Sequence, residues 1–143
     1  MKIAIGADHG AFERKTMVIK HLEEAGYEVK DFGTYTEASC DYPEYGKAVA
    51  EAVASGEYDK GIVMCTTGIG ISITANKVKG IRCALCSDVT SARLTREHND
   101  ANVLAIGAGI IGPNLTMDIV DMFMTTDFSG EEKHARRISK IEA

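Results

Sequence analysis

The chain predicts an α/β protein built on a five-stranded parallel sheet with helices on both faces. Three observations carry this. Short apolar runs alternate with helical patterns along the whole length. The runs are nearly continuous in hydrophobicity, as strands buried on both faces are. Each strand is followed by a segment long enough for the helical crossover that parallel pairing needs. At 143 residues the chain is expected to form a single domain, 1–143, with a sizeable core.

The elements follow in order. "KIAIGA", Lys2 to Ala7, reads as the first strand. "AFERKTMVIKHLEEAG" reads as an amphipathic helix with Phe12, Met17, Ile19 and Leu22 among its apolar residues and Gly26 as its stop. "YEVKDFG" is a second strand, and a polar loop through Ser39 to Pro43 leads to the helix "EYGKAVAEAVASG", closed by Gly56. "KGIVMC" is the third strand, followed by a glycine turn and a helix to about Val78. "IRCALC" and "NVLAIG" complete the five, separated by the helix "VTSARLTREHN". "NLTMDIVDMFMTTDF" is a further helix, and a helical tail begins at about residue 131.

Composition narrows the function classes. Hydrophobic residues make up 45% and charged ones 26%, ordinary values for a globular protein. A net charge of −5 with no basic block argues against a nucleic-acid surface. The N-terminus turns polar too quickly for a signal peptide, and no apolar run approaches the roughly 20 residues of a membrane helix. The expected location is therefore cytoplasmic, with no membrane partner. Cys40, Cys65, Cys83 and Cys86 show no disulfide framework. Cys83 and Cys86 have the C-x-x-C spacing of a redox or metal pair. They lie in a strand pattern, however, where residues three apart point to opposite faces. No second Cys/His pair lies nearby to complete a zinc site, so packing is the favoured reading.

In open parallel sheets ligands bind at the carboxyl ends of the strands, where strand order reverses. Two of the five strand ends carry reactive chemistry. Asp8-His9 follows the first strand: a carboxylate beside an imidazole suits proton transfer or a grip on sugar hydroxyls, although Asp8 could simply cap the helix beginning near Ala11. "CTTGIGI", Cys65 to Ile71, follows the third. A glycine turn before a helix N-terminus offers bare amides to a negative oxygen, and a cysteine in that field can be held as a thiolate or made ready to take a proton, although Cys65 could be a buried packing residue and the glycines could serve only close helix–sheet packing. Thr66 and Thr67 add hydroxyls that suggest a lined cavity. His98 and Asn99 end a helix in "REHNDANV", where a plain C-terminal role is as good a reading as a functional one. His21 reads as solvated. Lys133, His134, Arg136 and Arg137 form a basic tail that either pairs with surface acids or binds a phosphate. No metal-ligand spacing, P-loop, G-x-S-x-G elbow or dinucleotide fingerprint is present. What remains is a site without metal or cofactor, suited to moving a proton beside a carbonyl.

At this point the chain resembles the type B ribose-5-phosphate isomerases, grouped with the galactose-6-phosphate isomerase subunits. The resemblance runs essentially end to end, through "GADHG", "DYPEYG", "CTTGIGISITANK", "GIRCAL" and "REHNDANVLAIG". It implies a Rossmann-like three-layer α/β/α sandwich with strands one and three adjacent. It also implies a homodimer, or a dimer of dimers, with each active site built from both subunits. The substrate would be a small sugar phosphate, isomerised between aldose and ketose through a cis-enediolate. Cys65 would be the base at C2 and Thr67 would assist proton movement. The turn amides from Thr67 through Gly68, Ile69 and Gly70 to Ile71 would stabilise the enediolate, with Thr66 at the mouth of the turn. His98, with Asp8 opposite, would open the furanose ring. Tyr42 and Asn99 would hold hydroxyls, and His9, Lys133 and Arg137 the phosphate.

Three positions depart from the family pattern. Thr66 stands for a glycine, Gly109 for a phosphate-binding arginine of many members, and Lys133 for another arginine. Lysine keeps the charge but not the bidentate fork. The competing substrates are therefore allose 6-phosphate, galactose 6-phosphate or a free sugar, with a non-catalytic sugar-phosphate sensor as the rival from another class. The glycine at 109 would make room for the longer hexose.

Overall fold

The computed structural model describes all 143 residues. Five strands are present: β1 (Lys2–Ala7), β2 (Glu28–Asp31), β3 (Lys60–Cys65), β4 (Cys83–Leu85) and β5 (Val103–Gly107). Six α-helices connect and cover them: α1 (Phe12–Glu24), α2 (Tyr42–Ala54), α3 (Ile69–Asn76), α4 (Val89–Asn99), α5 (Pro113–Thr125) and α6 (Glu132–Ile141). A single 3₁₀ turn, His9–Ala11, precedes α1. All pairings are parallel, in the order β2-β1-β3-β5-β4. The expected α/β architecture is present, with the expected β1–β3 neighbours. No helix is long and apolar enough to cross a membrane.

Alternation along the central strands divides the core in two. Ile3, Ile5, Ile62, Met64, Leu104 and Ile106 point to one face, where they join Val18 and Leu22 of α1 and Ile119, Val120 and Phe123 of α5. Ala4, Val63, Cys65, Val103 and Ala105 point to the other, against Val49, Ala50 and Val53 of α2 and Ile71 and Ala75 of α3. The second face is built from small residues, so α2 lies close to the sheet. A β-carbon on Gly61 would meet Val49 Cγ1 at 2.7 Å and Val53 Cγ2 at 3.0 Å.

Some local expectations need correction. α2 starts at Tyr42, two residues before the expected Glu44, because Pro43 fits its first turn, where no amide bond is lost. β4 is shorter than "IRCALC" and Leu85 is 42% exposed, as an edge strand permits. Along α1 the inward face carries Lys15, Val18 and Leu22, and Met17 faces solvent. Lys15 is buried because its amine is fully used: it donates to both carboxylate oxygens of Asp31, at 2.6 and 2.8 Å, and to Thr34 O. His21 is not merely solvated, since its Nε2 lies 2.7 Å from Asp121 Oδ1, joining α1 to α5.

Candidate active site

β1 leads to β2 on one side, and β3 leads to β4 and β5 on the other, so strand order reverses between the exit ends of β1 and β3. The two ends are tied directly: the Asp8 amide donates to Met64 O at 3.2 Å. An open cavity of about 540 Å³ lies over this point, lined by Asp8, Tyr42, Cys65, Thr66, Thr67, Ile69, Gly70 and Ile73. One strand-end cavity thus gathers seven of the residues singled out in the sequence.

Cys65 is the last residue of β3, 4% exposed, and its sulfur accepts the Gly68 amide at 3.1 Å. Gly68 must be glycine, because its φ is +76° and a β-carbon there would stand 2.8 Å from both Gly107 N and Ile106 C. Thr67 Oγ1 accepts the amide of Ile69 at 3.1 Å. The first backbone bond of α3 runs from Ser72 N to Gly68 O, so the amides of Gly70 and Ile71 have no acceptor within the chain. Ile71 is fully buried, which makes its unpaired amide costly unless something else accepts from it. Tyr42, in the first turn of α2, lays its ring against Gly70, where a β-carbon would come within 2.6 Å of ring atoms.

Asp8 is 7% exposed and both sequence readings meet in it. It caps the 3₁₀ turn, its Oδ1 accepting the Gly10 amide at 3.0 Å, while it also lines the cavity. His9 is exposed beside it. The Cys40 amide donates to His9 Nδ1 at 3.1 Å, so in the neutral ring the proton sits on Nε2, which remains free to donate. Cys40 was not singled out in the sequence. A backbone donor carries no side-chain signature that could have marked it.

The structure separates the remaining predicted residues from this group. His98 and Asn99 are at the end of α4, where the chain enters β5, while Cys65 pairs in register with Gly107 at the exit of β5. The two ends lie roughly 13 Å apart along the strands at about 3.3 Å per residue. His98 stacks on His134 with ring centroids 4.4 Å apart, which seats α6 against α4. His134 Nε2 lies 3.1 Å from Glu131 Oε2, and Arg136 pairs with Glu132 at 2.8 Å. Those two basic residues of the tail are spent on surface acids. Lys133 and Arg137, one turn apart on α6, are exposed and make no ion pair within the chain.

A second concavity, about 720 Å³, also lies at the entry ends of the strands. Its main charged group, Arg82, already donates to Asn99 O, Asp100 O and Glu142, leaving little to meet a ligand. Cys83 and Cys86 pack into opposite core clusters, as their spacing predicted. Burial pushes the Cys83 thiol up to about 12 and that of Cys86 to about 11, so neither is a reactive thiolate near neutrality. No group of three or more His, Cys, Asp and Glu side chains is arranged to hold a metal ion.

The arrangement can take a proton, stabilise a negative oxygen and hold hydroxyls. Comparison with known proteins agrees in kind. Residues 3–141 match the family model described as Ribose/Galactose Isomerase. The chain is 48% identical over 142 residues to ribose-5-phosphate isomerase B of Escherichia coli, covering 99% of this chain and 95% of that protein. It is 44% identical over 142 residues to the galactose-6-phosphate isomerase subunit LacB of Clostridium acetobutylicum, covering 99% of this chain and 82% of that one. Among solved structures, ribose-5-phosphate isomerase B of Clostridium thermocellum superimposes with a TM-score of 0.97 at 54% identity, covering 99% and 95% of the two chains. This chain belongs to the ribose/galactose isomerase family.

Proposed function

We propose that the protein interconverts ribose 5-phosphate and ribulose 5-phosphate by proton transfer through a cis-enediolate. The observation that carries this is the placing of the Cys65 thiol in one cavity with Gly70, whose amide has no acceptor within the chain. Cys65, as thiolate, takes the proton from C2 of the open-chain aldose. The electron pair moves into the C1 carbonyl, whose oxygen becomes the enediolate oxyanion held by the turn amides. Return of the proton to C1, with a hydroxyl proton passing from O2 to O1 near Thr67, gives the ketose. No external oxidant or cofactor is needed, because the carbons exchange oxidation level within one molecule.

The remaining roles need a second copy of the chain. His98, Asn99, Lys133 and Arg137 are at the far end of their own sheet, so they serve this chemistry only from the partner subunit. Exposed Ile69, Ile73, Leu85 and Ile110 cluster at the exit ends of β3, β4 and β5 and supply an apolar rim for such a partner. In the dimer, His98 of the partner subunit opens the furanose ring opposite Asp8. Tyr42 and the partner subunit's Asn99 hold hydroxyls. His9, with Lys133 and Arg137 of the partner subunit, holds the phosphate. The cytoplasm is the setting this reading assigns.

The room expected beside Gly109 is narrowed by Thr66, which bears on the choice between ribose 5-phosphate and a longer hexose phosphate. Thr66 Cγ2 lies 2.9 Å from the point a β-carbon on Gly109 would occupy, so the space left by that glycine is already filled. A mixing experiment tests the shared site. Cys65→Ala and His98→Asn should each be nearly inactive on ribose 5-phosphate. Unfolding and refolding the two together should restore activity through hybrid dimers that hold one intact site. No recovery in a mixture shown to exchange subunits would contradict the two-chain site.

A further inference from the structure

Arg14, in the first turn of α1, is the only half-buried or buried arginine with no carboxylate within ion-pairing distance. Its partners are all neutral and all lie on the segment after β5. Nη1 donates to Ile111 O and to Thr116 Oγ1, both at 2.8 Å, and Nη2 donates to Ala108 O at 3.3 Å. Thr116 is fully buried and passes its own hydroxyl proton to Gly112 O at 2.8 Å, so one guanidinium secures the whole turn from 108 to 112.

That turn is bonded to the strand end that carries the site. The Ala108 amide donates to Cys65 O at 2.9 Å, and the Gly109 amide to Thr66 O at 2.8 Å. The segment has glycines at 107, 109 and 112, and so has few side chains of its own to fix its shape. Arg14 therefore supplies two things at the switch point: rigidity to the peptide that carries Cys65 and Thr66, and a positive charge with no carboxylate within 4.0 Å. A half-desolvated charge of this kind acts over several ångströms on an anion entering the cavity, with less screening than an exposed one.

We propose that Arg14 is a positioning residue for the anionic end of the substrate, acting through its unpaired charge, which its bonds to the 108–112 turn hold in place. This rests on the sugar-phosphate reading above, and its test separates the two. The full-length protein is alkylated with iodoacetamide while inorganic phosphate is raised, and modification of Cys65 is followed on its peptide by mass spectrometry. KM and kcat for ribose 5-phosphate are measured in parallel. Arg14→Met should need roughly tenfold more phosphate for half-protection, the scale of one charge-assisted contact, with KM raised similarly and kcat changed less than about threefold. Arg14→Lys, which keeps charge without the fork, should recover part of the loss. If Arg14→Met does not fold, Thr116→Val removes one acceptor while the charge stays, and its half-protection should remain within about twofold of wild type.

The proposal is overturned by unchanged phosphate protection and KM in a folded Arg14→Met, or by equal losses in the Lys and Met variants. A tenfold loss in Thr116→Val, or no protection of the wild-type thiol by phosphate, also overturns it. Wild type that is protected by phosphate but does not turn over ribose 5-phosphate would leave Arg14 in its role and remove that sugar as substrate.

Discussion

The amide of Gly68 points at the sulfur of Cys65 from 3.1 Å, so the same turn that opens α3 also solvates the thiol. That bond occupies one lone pair of the sulfur and fixes the side chain at the end of β3, beside the cavity. The geometry depends on glycine at 68, since φ there is +76° and the neighbours of an added β-carbon are Gly107 and Ile106 backbone. Gly68→Ala is expected to lower stability by about 2 kcal/mol or more, from left-handed strain and overpacking together. It should also lower kcat/KM at least tenfold. Urea midpoints and steady-state kinetics check both, and near-wild-type values would show that the turn is softer than its contacts imply.

Thr66 and Gly109 form a packed pair. A β-carbon on Gly109 would meet Thr66 Cγ2 at 2.9 Å and Thr66 O at 3.1 Å. Gly109→Ala should therefore destabilise by about 1 to 2 kcal/mol. In a Thr66→Gly background the side-chain clash is gone and the penalty should fall by at least about half, an interaction that a double-mutant cycle reads directly. Strict additivity of the two changes would show that Thr66 moves aside freely.

Much of this was legible in the sequence for identifiable reasons. The continuous apolar runs of β1, β3 and β5 marked buried central strands, and their exit residues marked the site. Edge strand β4 was overextended because apolar residues 81 to 86 look alike in the sequence, whereas only three of them pair with β5. The inward face of α1 was partly hidden because Lys15 is polar in the sequence and buried in the fold, its charge matched by Asp31. Arg14 was invisible for a related reason. Its partners are three backbone or hydroxyl oxygens about a hundred residues away, and no local pattern encodes them. For His98 and the α6 cations the sequence left structural and functional readings level, because within one chain they lie at the opposite end of the sheet from Cys65.

Lys60 offers a test away from the site. It is 7% exposed at the start of β3, with its amine 3.4 Å from Phe123 O. Burial, and then the positive charge of Arg96, lower its pKa from 10.5 to about 8, against the smaller pull of Asp127, Asp100 and Asp59. Below about pH 8 both folded and unfolded chains hold this proton, and the folded chain bears the penalty of a buried charge. Between about 8 and 10.5 only the unfolded chain holds it, so the contribution of Lys60 to stability rises with pH across that window. Lys60→Met should accordingly gain stability over wild type at pH 7, with the advantage shrinking by pH 10. Urea midpoints at the two pH values measure this, and an advantage that grew with pH would contradict the assignment.

Turnover of ribose 5-phosphate by wild type and Cys65→Ala decides whether Cys65 is the base. The thiol is buried beside the turn and is small, so its loss should move the melting temperature little. With Cys65 as the base, kcat should fall by roughly 10² to 10⁴, the range a positioned base contributes. A Cys65→Ala protein that folds and isomerises ribose 5-phosphate within a few-fold of the wild-type rate would reduce Cys65 to packing and contradict the mechanism.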